Sequence, residues 1–207
     1  MEIKICGLRR PEDARLAVCL GARWIGVVRA PDSPRSATLE EARRVIAAAR
    51  EVNPQVRPVL ATGRRTRDEV ASDAFALGVD RVQPHGLSEA GIRTLTEAGL
   101  IVHRVVTVPE SAARLPDFEP PSEDSGPLVF DVGGGGSGRA FDWRILGERA
   151  PGRAFIAGGL RPENIGRLLP YRPWGVDISS GIESSPGVKD PERLRSFFDL
   201  VRPLAVS

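Results

Sequence analysis

Residues 153–187 read RAFIAGGLRPENIGRLLPYRPWGVDISSGIESSPG. Two short apolar runs, residues 154–157 and 175–178, each end in a small-residue turn. Gly158–Gly159 follows the first, and Ser179–Ser180–Gly181 follows the second. A helical stretch starting near Pro162 lies between them. Strand, turn, helix, strand, turn is the repeat of a parallel sheet, with both turns at the C-terminal ends of their strands. Two such turns side by side aim backbone N–H groups and hydroxyls at one point, which suits a phosphate group.

Outward from this stretch the same unit recurs. Strands are expected over residues 2–6, 24–28, 56–61, 80–83, 100–106 and 127–131, where β-branched or alternating runs end in turn residues. Helices are expected between them. Residues 11–20 open with Pro11, Glu12 and Asp13, which suit a first helical turn. Residues 38–50 and 66–77 each open with a Thr-x-x-Glu capping box, and Ser88 can cap 88–98. After the fifth strand only one or two turns, 110–115, are expected. Asp142 can cap a short helix to 149, and Asp190–Pro191 opens the last helix, to 201. Residues 117–127 (DFEPPSEDSGP) read as a long rim loop. Eight strands in strict alternation with helices argue for an α/β chain folded as a single (β/α)8 TIM barrel over 1–207, a short form with one reduced helix after strand five. A doubly wound sheet shares the alternation. The turn after the first strand, Cys6–Gly7–Leu8–Arg9–Arg10, lacks the dinucleotide fingerprint.

Charge and composition narrow the partners. The chain carries 29 Lys+Arg against 27 Asp+Glu, and its arginines are scattered. That balance gives no electrostatic footprint for nucleic acid. No apolar run approaches the ~20 residues that span a bilayer, and no signal pattern opens the chain. A cytoplasmic protein with no membrane partner is expected. Cys6 and Cys19 form neither a CxxC motif nor a disulfide framework, and His85 and His103 without a Cys/His cluster offer no metal site. Cys19 falls on the apolar stripe of the first helix and reads as core.

In a barrel, chemistry sits where the strands end. Those positions hold Cys6, Arg29 to Arg35, Gln83 to His85, Asp131, Gly158–Gly159 and Asp177 to Gly181. Cys6 is followed by glycine and has arginines close by; positive charge favours thiolate, a base or nucleophile. A small buried hydrophobe is the plain alternative. Asp131 closes the apolar run LVFD, where desolvation can raise its pKa enough for acid work. A cap or salt-bridge partner is the other reading. Arg35, held by Pro34, offers a fork to a carboxylate or phosphate, or is a solvated loop arginine. The glycine run 133–138 can let backbone approach a ligand closely.

Taken in order, five stretches resemble phosphoribosylanthranilate isomerase. They are Cys6–Gly7–Leu8 with Arg10–Pro11–Glu12–Asp13–Ala14; Ser33–Pro34–Arg35; Gly135–Gly136–Ser137–Gly138 with Phe141–Asp142–Trp143; Ala157–Gly158–Gly159–Leu160 with Pro162–Glu163–Asn164; and the run from Gly175 to Glu183 with Pro186–Gly187–Val188–Lys189. The resemblance covers the chain end to end. It implies a (β/α)8 fold and a step of tryptophan biosynthesis, the Amadori rearrangement of N-(5-phosphoribosyl)anthranilate. The substrate is a small phosphorylated molecule, no cofactor is involved, and the protein is a monomer or homodimer. By matching position, the resemblance makes Asp131 the general acid and Cys6 the general base. Arg35 would hold the anthranilate carboxylate. Gly158, Gly159, Ser180 and Gly181 would hold the phosphate, and Asp177 would support the acid. Three places depart from the family pattern: Arg29, Ala61–Thr62–Gly63, and Pro84 within Gln83–Pro84–His85. All three are expected on the aryl side of the pocket, with Pro84 interrupting the ladder. Alternatives are a paralogue acting on another phosphoribosyl amine and a non-catalytic binder of a phosphoribosyl ligand. Isomerases of aminoimidazole-type substrates usually pair two aspartates at strands one and six, and Cys6 disfavours that reading.

Overall fold

A computed structural model describes residues 1–122, 125–133 and 138–201. In β1 (Glu2–Ile5), Ile3 and Ile5 pack outward under the helices and Lys4 turns into the interior. The same alternation runs round a parallel sheet of β2 (Trp24–Val28), β3 (Arg57–Thr62), β4 (Arg81–Pro84), β5 (Ile101–Val102), β6 (Val105–Thr107), β7 (Leu128–Asp131), β8 (Ala154–Ile156) and β9 (Gly175–Ile178). The order across the sheet is β5-β4-β3-β2-β1-β9-β8-β7-β6.

The two ends of that order are one interrupted strand. β5 pairs with β4 and β6 pairs with β7, and only His103 and Arg104 lie between β5 and β6. The His103 N–H donates to Val82 O at 2.8 Å, and the Val129 N–H donates to Arg104 O at 2.8 Å. The sheet therefore closes as the eight-stranded barrel expected from the alternation. The β4–β5 ladder stops at Val82–Val102, while β3–β4 continues to Thr62–Pro84. Pro84, which has no N–H, thus lies beyond the last β4–β5 pair and leaves the β3 side intact.

The first four helices follow their local signals. α1 (Pro11–Leu20) and α3 (Arg67–Leu77) end on left-handed Gly21 and Gly78. α2 (Leu39–Val52) and α3 both open with reciprocal Thr–Glu capping boxes. Ser88 caps α4 (Glu89–Glu97). The second half differs from expectation. One reduced helix is expected, and among the described residues three successive connections are reduced. Among the described residues between β6 and β7 there are turns but no helix: Ala112 N–H donates to Pro109 O and Ser125 N–H to Ser122 O. After β7 there is a 3-10 turn, Trp143–Leu146, which Asp142 caps and Gly147 ends with φ +69°. After β8 come one-turn α5 (Pro162–Ile165) and the 3-10 turn Leu169–Tyr171. Proline explains the last of these, since Pro170 and Pro173 each remove a donor that a longer helix needs. α6 (Pro191–Val201) returns against α1.

Cys19 is exposed, which corrects its reading as core. Ala14, Ala17 and Val18 carry the buried face of α1, and Cys19 lies one residue, about 100°, past it.

The barrel floor is aromatic. Trp24 packs edge-on to His103, Phe155 and Trp174. His103 is fully buried, and neither ring nitrogen has a hydrogen-bond partner among the described residues. Burial drives its pKa well below the usual histidine value, helped by the charges of Lys4 and Arg81. The folded state keeps it neutral, whereas the unfolded chain takes up a proton below about pH 6.5. Stability from this group is present above that pH and is lost as pH falls. His103→Leu removes the group that titrates. Thermal melts at pH 7 and pH 5 should show a smaller drop in Tm for the variant than for the native chain; an equal or larger drop refutes this account.

Candidate active site

The layer of side chains above the aromatic floor is charged. Lys4 is fully buried, and its ammonium donates to Asp177 Oδ2 at 2.7 Å and to Gln83 Oε1. Burial opposes the charge on Lys4, but Asp177, with Cys6 and Asp131, more than offsets it, so its pKa is held above the usual lysine value. An ammonium thus stands at the centre of the barrel, one layer below the strand ends. Asp177 Oδ1 and Thr62 Oγ1 are buried without a partner among the described residues, and both residues line the cavity above. Those two atoms are where a bound ligand can complete the hydrogen bonding.

That cavity measures about 420 Å³, within the range of sites for small ligands. Cys6, Arg35, Asp131, Gly158, Gly159, Asp177 and Ser180 all line it. Gly181, expected beside them, is buried and lies outside the lining. A Cβ there would meet Leu160 O at 1.8 Å, so this glycine is what lets the turn after β9 pack on the turn after β8. The glycine run singled out from the sequence falls mostly on 134–137, outside the described residues; Gly138 at its end lines the cavity.

Asp131 ends β7. Its Oδ1 accepts the Val132 N–H at 2.7 Å. Burial raises its pKa to about 6, with the negative charge of Asp177 adding to the rise and the Val132 N–H and Lys4 opposing it. Gly158, with φ +85°, sits against this carboxylate: a Cβ there would lie 2.8 Å from Asp131 Oδ1. Gly159 has φ +60° and presses on the backbone of Arg139 and Ala140. Both glycines are thus required by conformation and by close approach.

Cys6 follows β1. Burial pushes its thiol pKa up, and Lys4 and Lys189 pull against that. Gly26 on β2 leaves the room its sulfur occupies, since a Cβ at 26 would lie 2.6 Å from Cys6 Sγ. The sequence held a signal for this: a glycine inside the strand WIGVV marks a close approach. Arg35 crosses next to Cys6, passing over Gly7, whose Cβ would meet Arg35 Cδ at 2.8 Å. Its guanidinium is committed. Nε lies 3.0 Å from both Glu183 oxygens and Nη2 2.8 Å from Oε2. Glu183 also receives Lys189 Nζ at 2.9 Å and the Gly187 N–H at 3.2 Å. Burial raises the Glu183 pKa, and Arg35 and Lys189 more than reverse that. Glu183 and Lys189 belong to the short hairpin Glu183–Ser185/Val188–Lys189, and only the fold reveals that Glu183 holds Arg35.

Of the three departures expected on the aryl wall, one is there. Thr62 lines the cavity, with Gly63, Arg64, Gln83 and His85. Arg29 does not: it turns outward, its Nε 2.9 Å from Asp73 Oδ2 and its Nη1 2.9 Å from Ala37 O. Pro84 is also outside the lining. Strand alternation is the reason, since Val28 and Ala30 flank Arg29 and point inward, as Gln83 and His85 do around Pro84.

Residues 3–200 match the family profile of N-(5'-phosphoribosyl)anthranilate isomerase. The chain belongs to this family. It is 36% identical over 202 residues to the N-(5'-phosphoribosyl)anthranilate isomerase of Geobacter sp. strain M21, covering 95% of each chain. The crystal structure of phosphoribosyl anthranilate isomerase from Thermus thermophilus superposes with a TM-score of 0.79 at 30% identity, over 99% of this chain and 100% of that one. A further solved isomerase, 26% identical with a TM-score of 0.78 over 98% of this chain and 99% of its own, is in complex with reduced 1-(o-carboxyphenylamino)-1-deoxyribulose 5-phosphate.

Within this isomerase family site, the Gly26–Cys6 contact is open to test. Gly26→Ala displaces the thiol, and a misplacement of about 1 Å can cost ~10²-fold in turnover. Steady-state kinetics should show kcat reduced by about that factor in a variant that still melts cooperatively. An unchanged kcat would mean that the sulfur has no fixed position to lose.

Proposed function

We propose that Cys6 and Asp131 are the base and acid of the isomerisation, and that the observation carrying this is their placement. They stand at the ends of β1 and β7 in one cavity, beside the glycine turns after β8. The family reaction converts N-(5-phosphoribosyl)anthranilate to 1-(2-carboxyphenylamino)-1-deoxyribulose 5-phosphate. Asp131 protonates the furanose ring oxygen, the C1–O bond breaks, and the amine lone pair forms an iminium. The Cys6 thiolate then removes the C2 proton, and the C–H electrons form the double bond of an enolamine. The enolamine tautomerises as C1 gains a proton and the C2 hydroxyl loses one, leaving the ketone. The backbone of Gly158 and Gly159 and the Ser180 hydroxyl hold the phosphate, while Gly181, outside the lining, lets the two turns pack together. Arg35 turns the N–H groups that Glu183 leaves over toward the anthranilate carboxylate, and Asp177 sustains the raised pKa of the acid.

We take residues 1–207 as one barrel domain working in the cytoplasm. Strands from residue 2 to 178 close one sheet, and no described helix is long and apolar enough to cross a membrane. A fluorescence assay following loss of phosphoribosylanthranilate tests the activity directly; absence of turnover by folded protein would overturn it.

Protonation gives a second test. Asp131 titrates near 6 and the Cys6 thiol above its usual value, so the reactive state inverts the intrinsic order. At low pH both groups hold protons and the base is missing. At high pH both are ionised and the acid is missing. Between the two values the pair shares one proton, and the arrangement Asp131–H with Cys6 thiolate is a constant minor fraction. The kcat/KM profile should therefore rise to a plateau near pH 6 and fall only above the Cys6 value. Asp131→Asn should lose ~10²–10⁴-fold in rate, together with the limb near pH 6. Cys6→Ala should lose turnover by a similar factor while keeping affinity for phosphorylated ligand. A variant at either position with near-native rates refutes its role.

A further inference from the structure

We propose that Arg64 is a specificity-determining residue that binds the carboxylate of the substrate's aryl ring, completing a two-arginine clamp with Arg35. The proposal rests on the isomerase reading above and adds a residue to it. Arg64 lies in the loop between β3 and α3 and lines the cavity mouth. Round the closed barrel, β3 lies four strands from β8 in either direction. The arginine is therefore diametrically opposite the Gly158–Gly159 turn. A molecule tethered by phosphate at that turn and extending across the cavity brings its far end to β3 and β4, where Arg64 stands.

The charges nearby leave Arg64 available. Arg35 has Nε and Nη2 bound to Glu183. Arg29 is paired with Asp73, and Arg65 with Asp73 and Glu69. Arg64 has no ion pair or side-chain hydrogen bond among the described residues. Asp32, which also lines the cavity, forms no ion pair with it there. The Arg64 main chain is nonetheless held. On one side Gly63 presses on Ala30, where a Cβ would lie 2.9 Å from the Ala30 Cβ. On the other, Arg65 is anchored to α3. The Arg64 stem passes the β4–α4 turn, its Cγ 3.7 Å from the Cβ position of Gly86. The result is a free guanidinium fork on a fixed base, the geometry that recognises a planar carboxylate with two parallel hydrogen bonds.

The test uses the native chain, Arg64→Ala and Arg64→Lys, with phosphoribosylanthranilate and with its aniline counterpart, which lacks the carboxyl group. Affinity for reduced 1-(o-carboxyphenylamino)-1-deoxyribulose 5-phosphate, and for its decarboxylated analogue, is measured in parallel. Losing a charge-assisted pair should raise KM and Kd for the carboxylated compounds about tenfold in Arg64→Ala. It should leave kcat within about twofold, since the contact is the same in ground and transition states. The compounds without the carboxyl group should bind both proteins alike, and Arg64→Lys should recover part of the loss. Unchanged KM and Kd, or an equal rise for compounds with and without the carboxyl group, overturns the proposal. A native chain that binds the reduced compound without turning over substrate refutes the isomerase reading alone, because the affinity comparison still decides the role of Arg64.

Discussion

Everything at this site depends on one buried ion pair. Lys4 and Asp177 meet at 2.7 Å at the barrel centre, with Gln83 completing the cluster. Burying an ammonium alone costs several kcal/mol, so the pair stands or falls together. Its position matters more than its contribution to stability. Asp177 faces Asp131 and helps lift that carboxyl to about 6, while Lys4 draws the Cys6 thiol down against its own burial. One pair of fixed charges thus acts on both Asp131 and Cys6, in opposite senses. Removing either partner would leave an uncompensated charge beneath the cavity.

A second constraint works from the outside. Glu183 collects Arg35, Lys189 and the Gly187 N–H, so the hairpin after β9 is tied to the loop after β2 across Cys6. Lys189 is fixed in turn by its N–H to Asp13 Oδ2, 2.9 Å away on α1. Glycines supply the clearance these contacts need. Gly7 admits the Arg35 stem, Gly26 the Cys6 sulfur, and Gly158 the Asp131 carboxylate. Each is a place where adding one carbon would move Arg35, Cys6 or Asp131.

Much of this was legible residue by residue. The Thr38 and Thr66 capping boxes, the left-handed glycines after α1 and α3, and the parallel strands follow from short-range rules, and local chemistry decides them. The pattern EIKIC also places Lys4. With Ile3 and Ile5 facing the helices, Lys4 must enter the barrel beside Cys6. For Arg29 and Pro84 the sequence neighbourhood points to the pocket, and for Cys19 the stripe of α1 extends one residue too far, whereas the facing of each side chain is set by the exact phase of its helix or strand. A shift of one residue in either element moves a group from the pocket to the outer surface. The reduced helices of the second half were underestimated because a 3-10 turn and a one-turn helix open with the same caps as a long helix.

The sequence by itself determined the alternation of eight strands, the turns that face one end of the sheet, the family, and Cys6 and Asp131 as the groups to examine. These rest on periodicity and on motifs that keep their order along the chain. Only the tertiary structure decided that β5 and β6 are two halves of a closing strand, that Arg35 spends most of its fork on Glu183, and that Arg64 faces the cavity while Arg29 does not. Those facts belong to pairs of residues far apart in the chain. Glu183 lies 148 positions from Arg35, and Asp177 lies 173 from Lys4. No local rule couples such pairs, because the barrel's closure is what brings their charges within reach of each other.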